Sequence, residues 1–81
     1  MNLSGPTSIL ANSSFNTYTA WSPINTSIYL TSDIGVLNRS VIANNTSFNL
    51  DTTGLLPGEV VTIKASYKYW INSANIKITL T

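Results

Sequence analysis

An alternation of apolar and polar side chains through the last third of this chain constrains its folding more than any other feature. From Val60 onward the odd positions read Val61, Ile63, Ala65, Tyr67, Tyr69 and Ile71. The even ones read Thr62, Lys64, Ser66 and Lys68, with Val60 and Trp70 at the ends. Successive side chains of a strand point to opposite faces, so a period of two predicts one half-buried strand with its odd face inward. Asn72-Ser73 supplies turn chemistry. Ile76, Ile78 and Leu80 then alternate with Asn75, Lys77, Thr79 and Thr81, a second strand expected to pair with the first.

The same pattern recurs upstream in shorter pieces. Ser27–Thr31 would turn Ile28 and Leu30 inward, and Thr46–Leu50 would turn Phe48 and Leu50 inward. Val36-Leu37 and Val41-Ile42 are brief apolar runs. Phe15 to Trp21 is rich in strand formers, with two registers open: Phe15 and Trp21 share one face, Tyr18 and Ala20 the other. Thr7–Leu10 follows Gly5-Pro6 and reads as the first strand, because proline is confined to strand beginnings and edges. Turn residues fall between the pieces at Ser22-Pro23, Ser32-Asp33, Asn44-Asn45 and Leu56-Pro57-Gly58-Glu59. Pro57-Gly58 suits a type II turn. The fold expected is therefore all-β, an antiparallel sandwich of about seven strands in a single domain over residues 1–81. Its core would hold Ile28, Leu30, Phe48, Leu50, Ile63, Ala65, Tyr67, Ile78 and Leu80. An odd number of alternating passes would put Gly5 and Thr81 at opposite poles.

Composition narrows the chemistry. Charged residues make up 9% of the chain, against about 25% in an average domain. There are 10 Asn, 11 Ser and 11 Thr in their place, and neither Cys nor His. Zinc–thiolate sites, thiol chemistry and the commonest general base are thereby excluded. A net charge of +1 gives no basic patch for nucleic acid. No apolar run is long enough to insert in a membrane as a helix, and no leader peptide is evident. Met1 reads as a start placed before a domain excised from a longer surface protein.

The carboxylates are Asp33, Asp51 and Glu59, one in each of three turn-like segments. Acid–base hydrolysis needs two of them within several ångströms, and calcium needs a cluster. They read as turn and cap residues, so no metal, cofactor or catalytic residue is expected and the chain is not expected to be an enzyme. A Lys–Asn crosslink would need a lysine in the core, whereas Lys64, Lys68 and Lys77 all fall on the polar parity. With so few charges, stability should vary little between about pH 5 and 9.

Two aromatics on the outward parity, Trp70 and Tyr29, are the candidates for contact with a glycan or a protein. The alternative for Trp70 is packing at a strand end or under a neighbouring domain. Tyr67 and Tyr69 read as core or core edge. Asn-x-Ser/Thr occurs at Asn2, Asn12, Asn25, Asn38, Asn44 and Asn45, where this composition would give about three by chance. Asn12, Asn25, Asn38 and Asn45 are candidate glycosylation acceptors; abundance of Asn, Ser and Thr in turns is the other explanation. Either suits an extracellular, uncharged surface.

Thr31-Ser32-Asp33-Ile34-Gly35-Val36-Leu37 resembles the strand-and-turn signature of bacterial immunoglobulin-like domains of the intimin/invasin type. Gly58 to Ser66 resembles the penultimate strand of that family, and Ala74 to Thr81 its last. The resemblance covers roughly residues 27 to 81, and the stretch around Trp21-Ser22-Pro23-Ile24 is shorter than the family's. Leu55-Leu56-Pro57-Gly58 also resembles fibronectin type III domains, with Val61 where a Tyr often stands. The resemblance implies an immunoglobulin-like sandwich serving as a spacer, a structural module often found in tandem repeats in adhesin-like proteins of the prokaryotic cell surface. Its partners would be neighbouring domains of the same chain. Two alternatives are a glycan- or protein-binding module, and a subunit of a surface filament or virus particle that exchanges a strand between copies.

Overall fold

A computed structural model describes residues 1–70 and 72–81, and of Trp70 the backbone only. Ile71, expected on the inward face, and the Trp70 side chain lie outside the described residues. The chain forms β1 (Asn2–Ser4), β2 (Ser8–Ile9), β3 (Asn16–Trp21), β4 (Ile28–Ser32), β5 (Val36–Leu37), β6 (Val41–Ile42), β7 (Thr46–Asp51), β8 (Val60–Ser66) and β9 (Ala74–Leu80). A 3-10 turn, Lys68–Trp70, precedes β9. The strands make two sheets packed face to face, ordered β1-β3-β7-β5 and β2-β9-β8-β4-β6.

The described residues therefore form nine strands rather than about seven. The chain makes seven alternating passes, and two of them change sheet partway. The first pass pairs antiparallel with β3 as β1, then parallel with β9 as β2. The fourth pairs antiparallel with β7 as β5, then antiparallel with β4 as β6. Alternation of side chains could not reveal this, because it reports which face a residue occupies and not which neighbour it bonds. β1 carries no apolar alternation of its own and was not legible. All four sheet edges are strands of two or three residues, which offer little unpaired backbone to another chain.

The expected hairpin forms: β8 and β9 pair antiparallel from Val60↔Thr79 to Ala65↔Ala74. The first of the two strands is shorter than its alternation suggested. It ends at Ser66, and Tyr69 adopts φ 65°, ψ 19° within the 3-10 turn. The turn packs against β4 and β8. Tyr69 is consequently 81% exposed, which corrects its assignment to the core. Tyr67 is half-buried rather than core. The turn Leu56-Pro57-Gly58-Glu59 closes with the Glu59 N–H donating to the Leu56 carbonyl (3.2 Å) and Gly58 at φ 93°, the type II geometry.

The other expected core residues are buried: Ile28, Leu30, Phe48, Leu50, Ile63, Ala65, Ile78 and Leu80. Tyr18, Ala20, Ile9, Ile42 and Val61 join them. The open register of β3 is settled with Tyr18 and Ala20 inward, Phe15 and Trp21 exposed. Tyr18 is paired in register with Phe48 across the sheet, with ring centroids 6.2 Å apart. Its hydroxyl donates to the Pro6 carbonyl at 2.6 Å.

That carbonyl lies where the first pass changes sheet. Gly5, expected at a pole, is thus between β1 and β2 in the first pass, directly over the Tyr18 ring. The polar residue is Met1, which lines a groove with Asn72 and Ser73 just before β9 begins. Thr81 follows the last residue of β9, and the seven-residue strand between them spans about 23 Å. The chain ends therefore occupy opposite poles of a body measuring 36 × 18 × 18 Å.

Two substitutions check this packing. Phe48→Ala should cost about 3 to 5 kcal/mol by opening the layer under Tyr18. Gly5→Ala should cost about 2 to 3 kcal/mol, because a Cβ there runs into the Tyr18 ring. Gly54→Ala, with nothing near its Cβ position, should cost about 1 kcal/mol of backbone strain alone. Denaturant midpoints for the three variants would show whether Gly5 ranks above Gly54.

Candidate functional site: the two poles

The poles hold most of the loops, exposed apolar side chains and charges. Each is locked by polar groups that stand where backbone partners run out. At the pole of Met1, β3 and β7 pair as far as Ala20↔Thr46. Beyond that the Asn44 side chain continues the ladder. Its Oδ1 accepts from the Ser22 N–H at 2.7 Å and its Nδ2 donates to the Ser22 carbonyl at 2.8 Å. The buried Ser22 hydroxyl donates to the Ile24 carbonyl (3.1 Å), accepts from the Ile24 N–H (3.0 Å) and is hydrogen-bonded to the Tyr67 hydroxyl. These bonds shape a shallow groove of about 440 Å³ lined by Met1, Pro23, Ile24, Tyr67, Asn72 and Ser73. Beside it Lys68 reaches over the exposed Tyr69 ring, 5.3 Å from its centre. Trp21 and Ile24 are also exposed at this end.

At the pole of Thr81 the hub is Thr52, fully buried. Its backbone N–H donates to the Ser13 carbonyl (2.8 Å) and its Oγ1 accepts from the Ser13 N–H (2.9 Å). The hydroxyl proton is shared between the carbonyls of Leu10 and Ser13, at 3.2 and 3.1 Å. Asn12 closes the same cluster, its Oδ1 accepting from the Gly54 N–H at 3.0 Å. Around this hub Leu10, Phe15, Val36, Leu56 and Val60 are exposed. Leu56, 68% exposed, sits at the first corner of the Pro57-Gly58 turn.

Charge is segregated along the long axis. Asp33 follows β4, Asp51 is the last residue of β7 and Glu59 precedes β8, all at the Thr81 end. Each carboxylate accepts a backbone N–H: Asp33 from Ile34 and Thr62, Asp51 from Thr53, and Glu59 from Leu56. They are turn and cap residues, as their sequence positions suggested. Lys68 is at the opposite pole, while Arg39, Lys64 and Lys77 lie along the body. Lys68 and Lys77 are exposed and Lys64 half-buried; none is in the core.

The two sequence candidates for binding are not brought together as a described site. Tyr29 is half-buried on the outer face of β4, opposite Ser66 in register; the Trp70 side chain lies outside the described residues. Ser66 is buried despite its outward parity, and its hydroxyl has no hydrogen-bond partner among the described residues. The glycosylation candidates Asn12, Asn25, Asn38 and Asn45 are all exposed. Asn12 and Asn38 also serve the fold, the Asn38 Oδ1 accepting from the Asn49 N–H at 2.7 Å. Asn25 and Asn45 lie in loops at the Met1 pole, with Asn45 at φ 57°. The apolar poles themselves were missed at sequence level. Leu10, Phe15 and Leu56 each neighbour turn residues, and that adjacency was the only signal.

Compared with known proteins, the chain matches no family model, no curated relative and no solved structure.

The locks at the two poles are open to test. Asn44→Ala and Thr52→Val should each cost about 1 to 3 kcal/mol, because each strands buried backbone groups without a partner. Equilibrium unfolding of the two variants, with Asn25→Ala as a surface control within about 0.5 kcal/mol of wild type, measures this.

Two groups bound the pH range of stability. Burial pushes the Tyr18 hydroxyl up to about 12. Its neutral form is the one the core holds, so that contribution is complete below pH 10 and is lost as the pH rises toward 12. Hydrogen bonds from the Thr53 side chain and backbone lower the Asp51 carboxyl. That contribution is present above about pH 4 and is lost as the pH falls below it. Thermal midpoints from pH 2 to 12 should be flat between about 5 and 9 and drop at both ends, with the alkaline drop removed in Tyr18→Phe.

Proposed function

We propose that this chain is an immunoglobulin-like structural module, a spacer that carries other parts of a longer extracellular surface protein of the intimin/invasin kind. The observation that carries the reading is the placement of Met1 and Thr81 at opposite poles of the long axis. A chain entering at one pole and leaving at the other adds its full 36 Å to whatever it joins. A domain with both ends at one pole would suit insertion in a loop.

The sheet orders support the immunoglobulin-like part. Counting the passes as A to G, the first sheet reads A-B-E-D and the core of the second G-F-C, the arrangement of constant-type immunoglobulin sandwiches. The surface supports the exterior location. The outer face of the first sheet uses side-chain ladders of Thr17 with Asn49 (2.9 Å) and Thr19 with Ser47 (3.0 Å) in place of charges. Strand exchange between copies is disfavoured by the closed edges and by Ile9, buried with its own β2 in place.

Two copies joined end to end test the spacer. Small-angle scattering should give a longest dimension about twice the 36 Å axis. A pair folded back side by side, with a longest dimension near that of one copy, would overturn the reading.

A further inference from the structure

The two poles differ in a way that fits them to each other. The Thr81 pole presents the exposed Leu56 at a turn and is acidic through Asp33, Asp51 and Glu59. The Met1 pole is concave at its groove, apolar at Met1, Pro23, Ile24 and Tyr67, and carries Lys68 beside that groove. We propose that the Thr81 pole of one copy seats on the Met1 pole of a second copy, head to tail. Leu56 enters the groove and Glu59 faces Lys68. The inference rests on the spacer reading and specifies what the spacer's ends touch: another copy of the same domain.

Three physical arguments favour this occupant. First, both surfaces are apolar while the body between them is not, so burial is gained only at the ends. Second, opposite charges at the ends select head-to-tail over head-to-head, because like poles would bring three carboxylates against three. Third, the chain direction agrees: Thr81 leaves from the pole that carries Leu56 and Met1 enters at the pole that carries the groove, so a following copy is delivered in the required orientation.

The magnitude decides where the contact matters. A cross-section of 18 × 18 Å buries roughly 300 Å² per copy, well below the about 1,200 Å² in total that a stable interface needs. Separate copies should remain monomeric at micromolar concentration. Copies joined by a short linker meet at an effective concentration in the millimolar range, which is where so small a contact becomes populated. Seating is therefore a property of the tandem, and it stiffens the array without needing a tight dimer.

The test is amide NMR on two copies joined by a flexible linker of about ten Gly and Ser residues. Relative to a single copy, resonances around Leu56–Glu59 of the first copy and around Trp21–Asn25 and Tyr67–Tyr69 of the second should be displaced. Leu56→Ser in the first copy, or Lys68→Glu in the second, should reduce those displacements at least threefold. Both side chains are exposed, so folding is retained. Raising the salt to 0.5 M should also weaken them, since the charge pair is screened. Spectra of the tandem that superimpose on the single copy away from the linker would overturn the seating, as would displacements that neither substitution changes. Scattering on the same sample separates the two ideas. An extended pair with unperturbed spectra removes only the seating, and a folded-back pair removes the spacer with it.

Discussion

The packing of Tyr18 under the first strand is the constraint on which the rest of the sandwich depends. The ring fills the core beside Phe48, and its hydroxyl, taken out of water, must find an acceptor. The acceptor is the Pro6 carbonyl, at the point where the first pass leaves one sheet for the other. Proline has no N–H to give to a ladder, and glycine has no Cβ to collide with the ring. Gly5-Pro6 is thus suited to a segment that must abandon one neighbour, cross over an aromatic ring and take up another. By crossing there, the segment supplies an edge to each sheet and covers the open side of the core. The fourth pass closes the other side by the same change of sheet.

The composition has a structural cause as well. Asparagine side chains do at strand ends what backbone does within strands. Asn44 extends the β3–β7 ladder, Asn38 extends β5–β7, Asn16 Nδ2 donates to the Leu50 carbonyl at 3.0 Å, and Asn12 receives the Gly54 N–H. A carboxamide carries both a donor and an acceptor and has no charge to desolvate. Asparagine also tolerates the left-handed backbone that tight corners require, as at Asn12, Asn45 and Asn72. A domain built this way can keep its carboxylates at one end, while two lysines, Lys64 and Lys77, remain on the second sheet. Tyr69 is the one exception to asparagine at positive φ outside glycine among the described residues. It lies at the pole where the groove opens.

The direction of the chain through the domain is set by the number of its passes. The passes alternate in direction, and their odd number takes the chain from the Met1 pole to the Thr81 pole. The hydrogen bonds of Ser22 and Thr52 tie the loops at both ends to the strands beside them.

By itself, the alternation of side chains determined the class of fold, the β8–β9 hairpin and the inward faces of four strands, because facing in or out is a local property with period two. It also placed Asp33 and Glu59 in turns, whereas Asp51 ends β7. The register of β3 stayed open, since aromatic residues sit on both of its faces and only the space beneath Gly5 decides that Tyr18 goes in. The tertiary structure alone decided that two passes divide between sheets, because a strand's partner depends on what lies beside it and not on its own pattern. It alone ended β8 at Ser66 and turned Tyr69 outward, where alternation continued but the backbone did not. And it alone gathered Leu10, Phe15 and Leu56 at one pole and Ile24, Tyr67 and Lys68 at the other, from positions up to 46 residues apart in the chain. A surface is made by passes that end at the same height, and no period within a single strand encodes that.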